Sequence, residues 1–87
     1  MIKVKLRLFG RFRSFYSDPF LEIQVPSGSD LTTVKTFLAS SLRKIASEFD
    51  SQLLEDAAFA DEDTILERDA RFSRDCEIAV LPPVCGG

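Results

Sequence analysis

A strict alternation of apolar and charged residues at the start of the chain most constrains how it can fold. Residues 2–9 read IKVKLRLF, so the apolar side chains from Ile2 to Leu8 share one face and three cations share the other. Alternation with a period of two predicts a β-strand with one face on a core and the other in solvent. Phe9 departs from this pattern, because it falls on the polar face at the end of the strand.

The next segments predict a hairpin followed by one helix. Residues 20–25, FLEIQV, alternate again, and residues 10–19 between the two strands contain Gly, Ser and Pro and predict a loop. Asp30 is a suitable N-cap, because its carboxylate can accept the free N–H groups of a first helical turn. We therefore expect a helix over about residues 31–47. Its core-facing stripe is predicted to contain, at helical spacing, Leu31, Val34, Phe37, Leu38, Leu42, Ile45 and Phe49.

The region after the helix has a less regular pattern. Residues 57–60 and 64–67 are each predicted to form a short strand, and the acidic residues 61–63 between them predict a polar turn. Residues 68–75 are rich in charge and predict a connection without regular structure.

The order of the elements predicts the fold class. Residues 77–81 form a closing strand with Ile78 and Val80 inward, so the chain reads strand, strand, helix, short strands, strand. This order predicts an α+β fold of the β-grasp (ubiquitin-like) type, a mixed sheet with one main helix packed on one face. In that topology the first and last strands are parallel neighbours at the sheet centre. We expect a domain over residues 1–81 and an extended tail over residues 82–87.

Composition argues against several classes of function. The net charge is −3, from 11 Lys and Arg against 14 Asp and Glu, which argues against nucleic acid as the main partner. Histidine is absent and only Cys76 and Cys85 are present, so a closed zinc site of the common kinds cannot be built and no metal is expected. No secretory signal and no run of transmembrane length is visible. We expect a cytoplasmic protein with reduced thiols that binds no membrane.

The last six residues suggest the chemistry that this chain supports. Pro82 and Pro83 favour an extended exit from the sheet, and Val84 and Cys85 lead to a terminal Gly86-Gly87 pair.

Glycine allows backbone to pass where a Cβ would clash, so such a tail can enter a narrow channel and bring the Gly87 carboxylate to a nucleotide. ATP can convert that carboxylate into an acyl-adenylate. A sulfur nucleophile can then displace AMP and leave a thiocarboxylate, or an enzyme cysteine can form a thioester. Neither route needs a catalytic side chain from this domain.

Two segments carry a resemblance to a known family. The end EIAVLPPVCGG closely resembles that of the small subunit of molybdopterin synthase, in the MoaD family of ubiquitin-like sulfur carriers, and LFGRFRSF resembles the first strand and following segment of that family. The resemblance implies a non-catalytic subunit of a sulfurtransferase, whose active site lies on the large subunit. It implies no bound cofactor, with ATP used by the activating enzyme to adenylate Gly87.

The resemblance also implies a set of partners. An E1-like adenylyltransferase of the MoeB type would activate Gly87, and a sulfur-donating enzyme would supply the sulfur of the thiocarboxylate. The carrier would then dock on a large subunit of the MoaE type, with its tail (Pro82, Pro83, Val84, Cys85 and Gly86) in that active site. There it would donate sulfur to cyclic pyranopterin monophosphate, within a heterotetramer.

Four residues outside the tail are predicted to form the partner interface. Phe9 and Leu81 lie on the outward faces of the first and last strands, so parallel neighbours would join them into an apolar patch beside the tail. Arg11 and Arg13 match the arginine-bearing segment of the family and can pair with acids on a partner, although solvated surface arginines would look the same. Ser14 stands where the family often has an acid.

The two cysteines are predicted to be packing residues. Cys85 replaces the commoner Thr, Ser or Ala of the family, and its thiol lies two residues from the terminal carboxylate, where it could attack an activated carbonyl. We favour the interpretation that Cys85 is a small residue tolerated at this position. Cys76 is expected to pack without a redox role.

Three other functions remain open from the sequence. The chain has the features of a sulfur carrier, and thiazole synthesis or tRNA thiolation would use the same chemistry. A protein modifier joined to lysines through Gly87 would need the same activation. A non-covalent interaction domain would leave the tail idle.

Overall fold

A computed structural model describes residues 1–46, 49, 52–62 and 64–82. The strands and helices of this part of the chain occur in the following order. They are β1 (Ile2–Leu8), a 3₁₀ helix (Gly10–Ser14), β2 (Phe20–Val25), β3 (Ser29–Asp30), α1 (Leu31–Ile45), α2 (Gln52–Glu55), β4 (Ala58–Ala60), β5 (Arg71–Phe72) and β6 (Cys76–Leu81).

The main sheet has the strand order β2-β1-β6-β4. β1 pairs antiparallel with β2 and parallel with β6, and β4 pairs antiparallel with β6. The prediction of parallel first and last strands at the centre of a mixed sheet is therefore confirmed. With α1 packed on one face, this is the β-grasp arrangement that the element order predicts.

The core lies between the main sheet and α1. The alternating apolar residues of β1 and β2 are buried, and Ile78 and Val80 of β6 point inward as predicted. From the helix, Leu31, Val34, Leu38 and Leu42 cover the sheet. Each such side chain contributes about 1.5–3 kcal/mol when it leaves water, so the alternation in β1 is a large part of what holds the sheet to the helix.

Helix α1 begins where the sequence predicts. The Asp30 carboxylate accepts the Thr33 N–H and the Thr33 hydroxyl, each at 2.9 Å, and these bonds lower the pKa of Asp30. The helix ends at Ile45, two residues before the predicted boundary, where the Ala46 N–H still donates to the Leu42 carbonyl at 2.8 Å.

Three members of the predicted helix stripe do not fit it. Phe37 is 36% exposed, because it lies about 100° around the helix from the central core residue Leu38. Ile45 is 47% exposed at the helix end. Phe49 is buried as expected, but it lies beyond the end of α1 and contacts Phe15 edge-to-face, with 5.3 Å between ring centroids.

The second half of the chain differs more from the prediction. β4 is found within residues 57–60, but residues 64–67 contribute only a single bridge between Ile65 and Ala60. The Asp61 carboxylate accepts the Thr64 N–H at 2.9 Å beside this bridge, and the Ile65 side chain is 61% exposed.

Short elements that the sequence pattern misses complete the fold. The predicted loop 10–19 begins with the 3₁₀ helix, α2 follows the main helix, and the charged connection 68–75 contains β5. β5 pairs with β3, beside which the Arg71 guanidinium donates to the Gly28 carbonyl at 3.0 Å. Elements of two to five residues are too short for a periodic signal.

Among the described residues, no helix has the length and apolar character needed to span a bilayer.

Leu6→Ala is expected to lower the free energy of unfolding by about 2–5 kcal/mol, because Leu6 has no exposed surface and its loss leaves a cavity beneath α1. Urea unfolding followed by circular dichroism measures this change. Ile65→Ala is the matched control, since it also removes an aliphatic side chain but at an exposed site, and it should change stability by less than about 0.5 kcal/mol. Equal losses for the two variants would contradict the assignment of the core.

Candidate functional site

The candidate site is the edge of the sheet where β1 and β6 both end. The Phe9 N–H donates to the Val80 carbonyl at 3.3 Å. In a parallel ladder the next bond would come from the N–H of residue 82, but Pro82 has none. The Phe9 carbonyl accepts the Phe12 N–H instead, at 3.2 Å, and this bond begins the 3₁₀ helix. The pairing of β6 with β1 therefore stops where the tail begins.

Gly10 and Pro82, which we call the tail root, meet at this edge. Gly10 has φ of +55°, in the left-handed region that favours glycine. A Cβ built on Gly10 would lie 2.8 Å from the Pro82 Cγ, closer than real Cβ atoms approach other heavy atoms. The backbone of the 3₁₀ helix and the ring of Pro82 are thus in close contact where the chain leaves the sheet.

The sheet face opposite α1 carries an apolar surface beside the tail root. Phe9 and Leu81 occupy the next positions after the paired residues Leu8 and Val80, on the outward face of their strands. Both are half-buried, so the structure places these two predicted residues side by side without exposing them fully. Three further half-buried residues extend the surface, and we call the whole set the outer patch: Phe9, Phe20, Ala58, Ala79 and Leu81.

Strand register explains why the outer patch is continuous. Arg7 of β1 lies opposite Phe20 on β2 and Ala79 on β6, and Leu81 lies opposite Ala58 on β4. The sequence pattern missed Phe20, Ala58 and Ala79, because their place in the patch depends on pairing between distant strands.

Cations lie over the aromatic rings of the outer patch. The Arg7 guanidinium lies 5.4 Å from the Phe9 ring centroid and 5.5 Å from that of Phe20, and the Lys5 ammonium lies 5.2 Å from the Phe20 centroid. Such contacts stabilise by about 0.5–1 kcal/mol at exposed sites. A shallow depression of ≈ 190 Å³ opens beside Phe9 and Ala79. It is too small to enclose a substrate, and a surface of this kind suits docking against another protein.

Arg11 and Arg13 lie in the 3₁₀ helix next to the tail root. Both are exposed, while Phe12 between them is 1% exposed and anchors the helix in the core. The Ser14 hydroxyl donates to the Arg11 carbonyl at 2.7 Å. The structure therefore places two exposed cations at the edge of the sheet next to Pro82.

The predicted tail lies mostly outside the described residues. Of its members, Pro82 is described and half-buried, whereas Pro83, Val84, Cys85, Gly86 and Gly87 lie outside.

Cys76 begins β6 and is half-buried at the opposite end of the strand from the tail root. Burial, and to a lesser degree the neighbouring Asp75, raises the pKa of its thiol. The thiol therefore stays protonated at neutral pH and is a poor nucleophile, in line with a packing role.

The sheet topology and the single packed helix define the class of protein as a ubiquitin-like β-grasp protein. The profile of the ThiS family matches residues 6–87, which is nearly the whole chain. The chain belongs to the ThiS family.

Solved structures support this fold over the full length. A protein from Pyrococcus furiosus assigned as molybdopterin converting factor subunit 1 is 25% identical with a TM-score of 0.65, covering 97% of this chain and 100% of that one. A chain of the complex of subunits 1 and 2 of molybdopterin-converting factor from Helicobacter pylori is 25% identical with a TM-score of 0.56, covering 99% and 100%.

Small archaeal modifier protein 1 from Haloferax volcanii is 14% identical with a TM-score of 0.76, covering 97% of this chain and 100% of that one, and it is similar in fold alone. No curated protein sequence matches the chain significantly.

Phe9→Glu and Leu81→Glu are each expected to weaken binding to a partner that docks on the outer patch by about 2–4 kcal/mol, as at the centre of an interface. The physical reason is the burial of a new carboxylate against apolar surface. Titration calorimetry with the candidate large subunit measures the effect. Phe37→Glu is the control, because it makes the same change at a half-exposed Phe on α1, away from the sheet face. Unchanged affinity for the first two variants would remove the outer patch from the interface.

Proposed function

We propose that this protein is the sulfur-carrier subunit of a molybdopterin synthase. The observation that carries the proposal is the family match that runs through Gly87, on a chain whose Pro-Pro-Val-Cys-Gly-Gly end follows directly on the last strand of the sheet. The choice of pathway rests on the two 25% identical structures described as subunits of molybdopterin converting factor.

The proposed reaction takes place at the terminal carboxylate. An oxygen of the Gly87 carboxylate attacks the α-phosphorus of ATP on an activating enzyme, and pyrophosphate leaves. The resulting acyl-adenylate has AMP as a good leaving group. Hydrosulfide supplied by a sulfur-donating enzyme adds to the carbonyl carbon, the bond to AMP breaks, and Gly87 ends in a thiocarboxylate. Cys76 lies at the opposite end of β6 from the tail root, so its thiol is far from the start of the tail.

The proposed sulfur transfer takes place on a partner. The outer patch and the arginines of the 3₁₀ helix dock the carrier on a large subunit of the MoaE type, which holds cyclic pyranopterin monophosphate in its active site. The thiocarboxylate sulfur bonds to the pterin substrate there, water then cleaves the acyl–sulfur bond, and Gly87 returns to a carboxylate. In this scheme the carrier contributes its tail and its docking surface, whereas the large subunit contributes the catalytic side chains. The two subunits assemble as a heterotetramer, and a MoeB-type adenylyltransferase competes for the same surface of the free carrier.

The first prediction of this proposal concerns the mass of the protein. Incubation with ATP, a MoeB-type enzyme and sulfide is expected to shift the intact mass by one oxygen-to-sulfur exchange. Deletion of Gly87 should abolish the shift and leave the fold intact, because it removes the reacting carboxylate and touches no predicted core residue. Cys85→Ser should keep the mass shift, which would show that the sulfur is added to the terminal carboxylate and not to the Cys85 thiol. An exchange retained by the truncated chain would contradict the proposal.

A second assay separates the pathway from its alternatives. The thiocarboxylated protein is mixed with a MoaE-type subunit and cyclic pyranopterin monophosphate, and formation of molybdopterin is measured. Molybdopterin formation supports the proposal. Sulfur that reaches only a thiazole or a tRNA would assign the carrier to another pathway, and lysine conjugates would identify a protein modifier.

A further inference from the structure

We propose that Gly10 is a positioning residue whose missing side chain seats Pro82 and so sets the direction in which the C-terminal tail leaves the sheet. The inference rests on the proposed function, since a direction matters only if the tail carries a reacting group. It concerns the tail root, where the structure describes both contacting residues.

Gly10 cannot easily move away from Pro82. The residue before it is bonded to the last strand, through the Phe9 N–H and the Val80 carbonyl at 3.3 Å. Two residues further on, Phe12 is 1% exposed and fixes the 3₁₀ helix in the core. Gly10 is therefore held from both sides along the chain.

Pro82 offers little freedom on its own side. A Cβ on residue 10 would lie 2.8 Å from the Pro82 Cγ, 3.5 Å from its Cδ and 3.8 Å from its Cβ. These atoms belong to a closed ring that can change its pucker but cannot rotate away. Since Gly10 is held, a side chain there must push Pro82, and with it the start of the tail.

A displacement at Pro82 would act at a distance. Five residues separate Pro82 from the end of the chain, and the proposed reaction needs the Gly87 carboxylate at a fixed point in a partner's active site. A misplacement of about 1 Å can lower a rate by about 100-fold even when the altered residue lies far from the chemistry. The contact would thus influence the reaction without touching the reacting atoms.

The chain contains a matched control for this contact. Gly28 also has a left-handed backbone, with φ of +90°, but a Cβ there would meet no heavy atom of the described residues within 4 Å. Gly10→Ala and Gly28→Ala therefore both strain the backbone, and only the first presses on the tail root.

The experiment compares these variants in the adenylation assay with a MoeB-type enzyme, with carrier concentration varied to separate kcat from KM. Gly10→Ala is expected to lower kcat/KM by about 10- to 100-fold, whereas Gly28→Ala changes it less than twofold at a similar loss of Tm. Pro82→Ala removes the Cγ, so the double variant Gly10→Ala/Pro82→Ala should match Pro82→Ala alone.

If Gly10→Ala does not fold, Gly10→Asn and Gly28→Asn replace the pair, because Asn tolerates the left-handed region.

Equal kcat/KM for the Gly10 and Gly28 variants would overturn the proposal. A double variant whose fold-loss in kcat/KM equals the product of the losses of the two single variants would also overturn it. Nuclear Overhauser effects between the Gly10 Hα and Pro82 ring protons give a readout that needs no activity. If the wild-type chain shows this contact but is never adenylated, the proposed function fails and the geometry of the tail root stands. If the wild-type chain is adenylated and the contact is missing, this inference fails alone.

Discussion

The parallel pairing of β1 with β6 is the interaction on which the rest of the structure depends. It joins residues near the two ends of the chain, with Leu6 opposite Ile78 at its middle. The Asp75 carboxylate, which accepts the Lys3 N–H at 2.8 Å, holds the start of the pair in register. Because parallel strands end at the same edge of a sheet, β1 leads into the 3₁₀ helix at the same place where β6 leads into the tail. An antiparallel pairing would put these two features at opposite edges.

The alternation within β1 assigns each of its residues to the core or to the outer face of the sheet. Leu6 and Leu8 have almost no exposed surface, while Arg7 lies on the other side of the same strand. A slip of register by one residue would put the cation in the core and the leucines outside, so the stability of the core also fixes which residues face outward beside the outer patch. The core and the outer face of the strand are thus specified by a single pattern of residues.

The sequence predicts the parts of the fold that have a periodic apolar pattern or a helix N-cap. β1, β2, β6 and the start of α1 at Asp30 follow from local pattern, and the β-grasp class follows from their order. β3 and β5 do not, because two-residue strands exist only through pairing that the chain makes over about forty residues. Phe9 and Leu81 are predicted to be interface residues because their apolar side chains break the alternation. The contact of Gly10 with Pro82 has no local signal apart from the glycine itself, since it requires the strand register in three dimensions.

Pro82 links the end of the sheet to the geometry of the tail root. Its missing N–H leaves the Phe9 carbonyl without a ladder partner at the end of β6. The Phe12 N–H supplies a partner instead, through the first bond of the 3₁₀ helix that follows β1. Gly10 has a positive φ in this turn, and it lies against the ring of Pro82. Pro82 therefore ends the ladder between the two central strands and contacts a glycine at the same edge of the sheet.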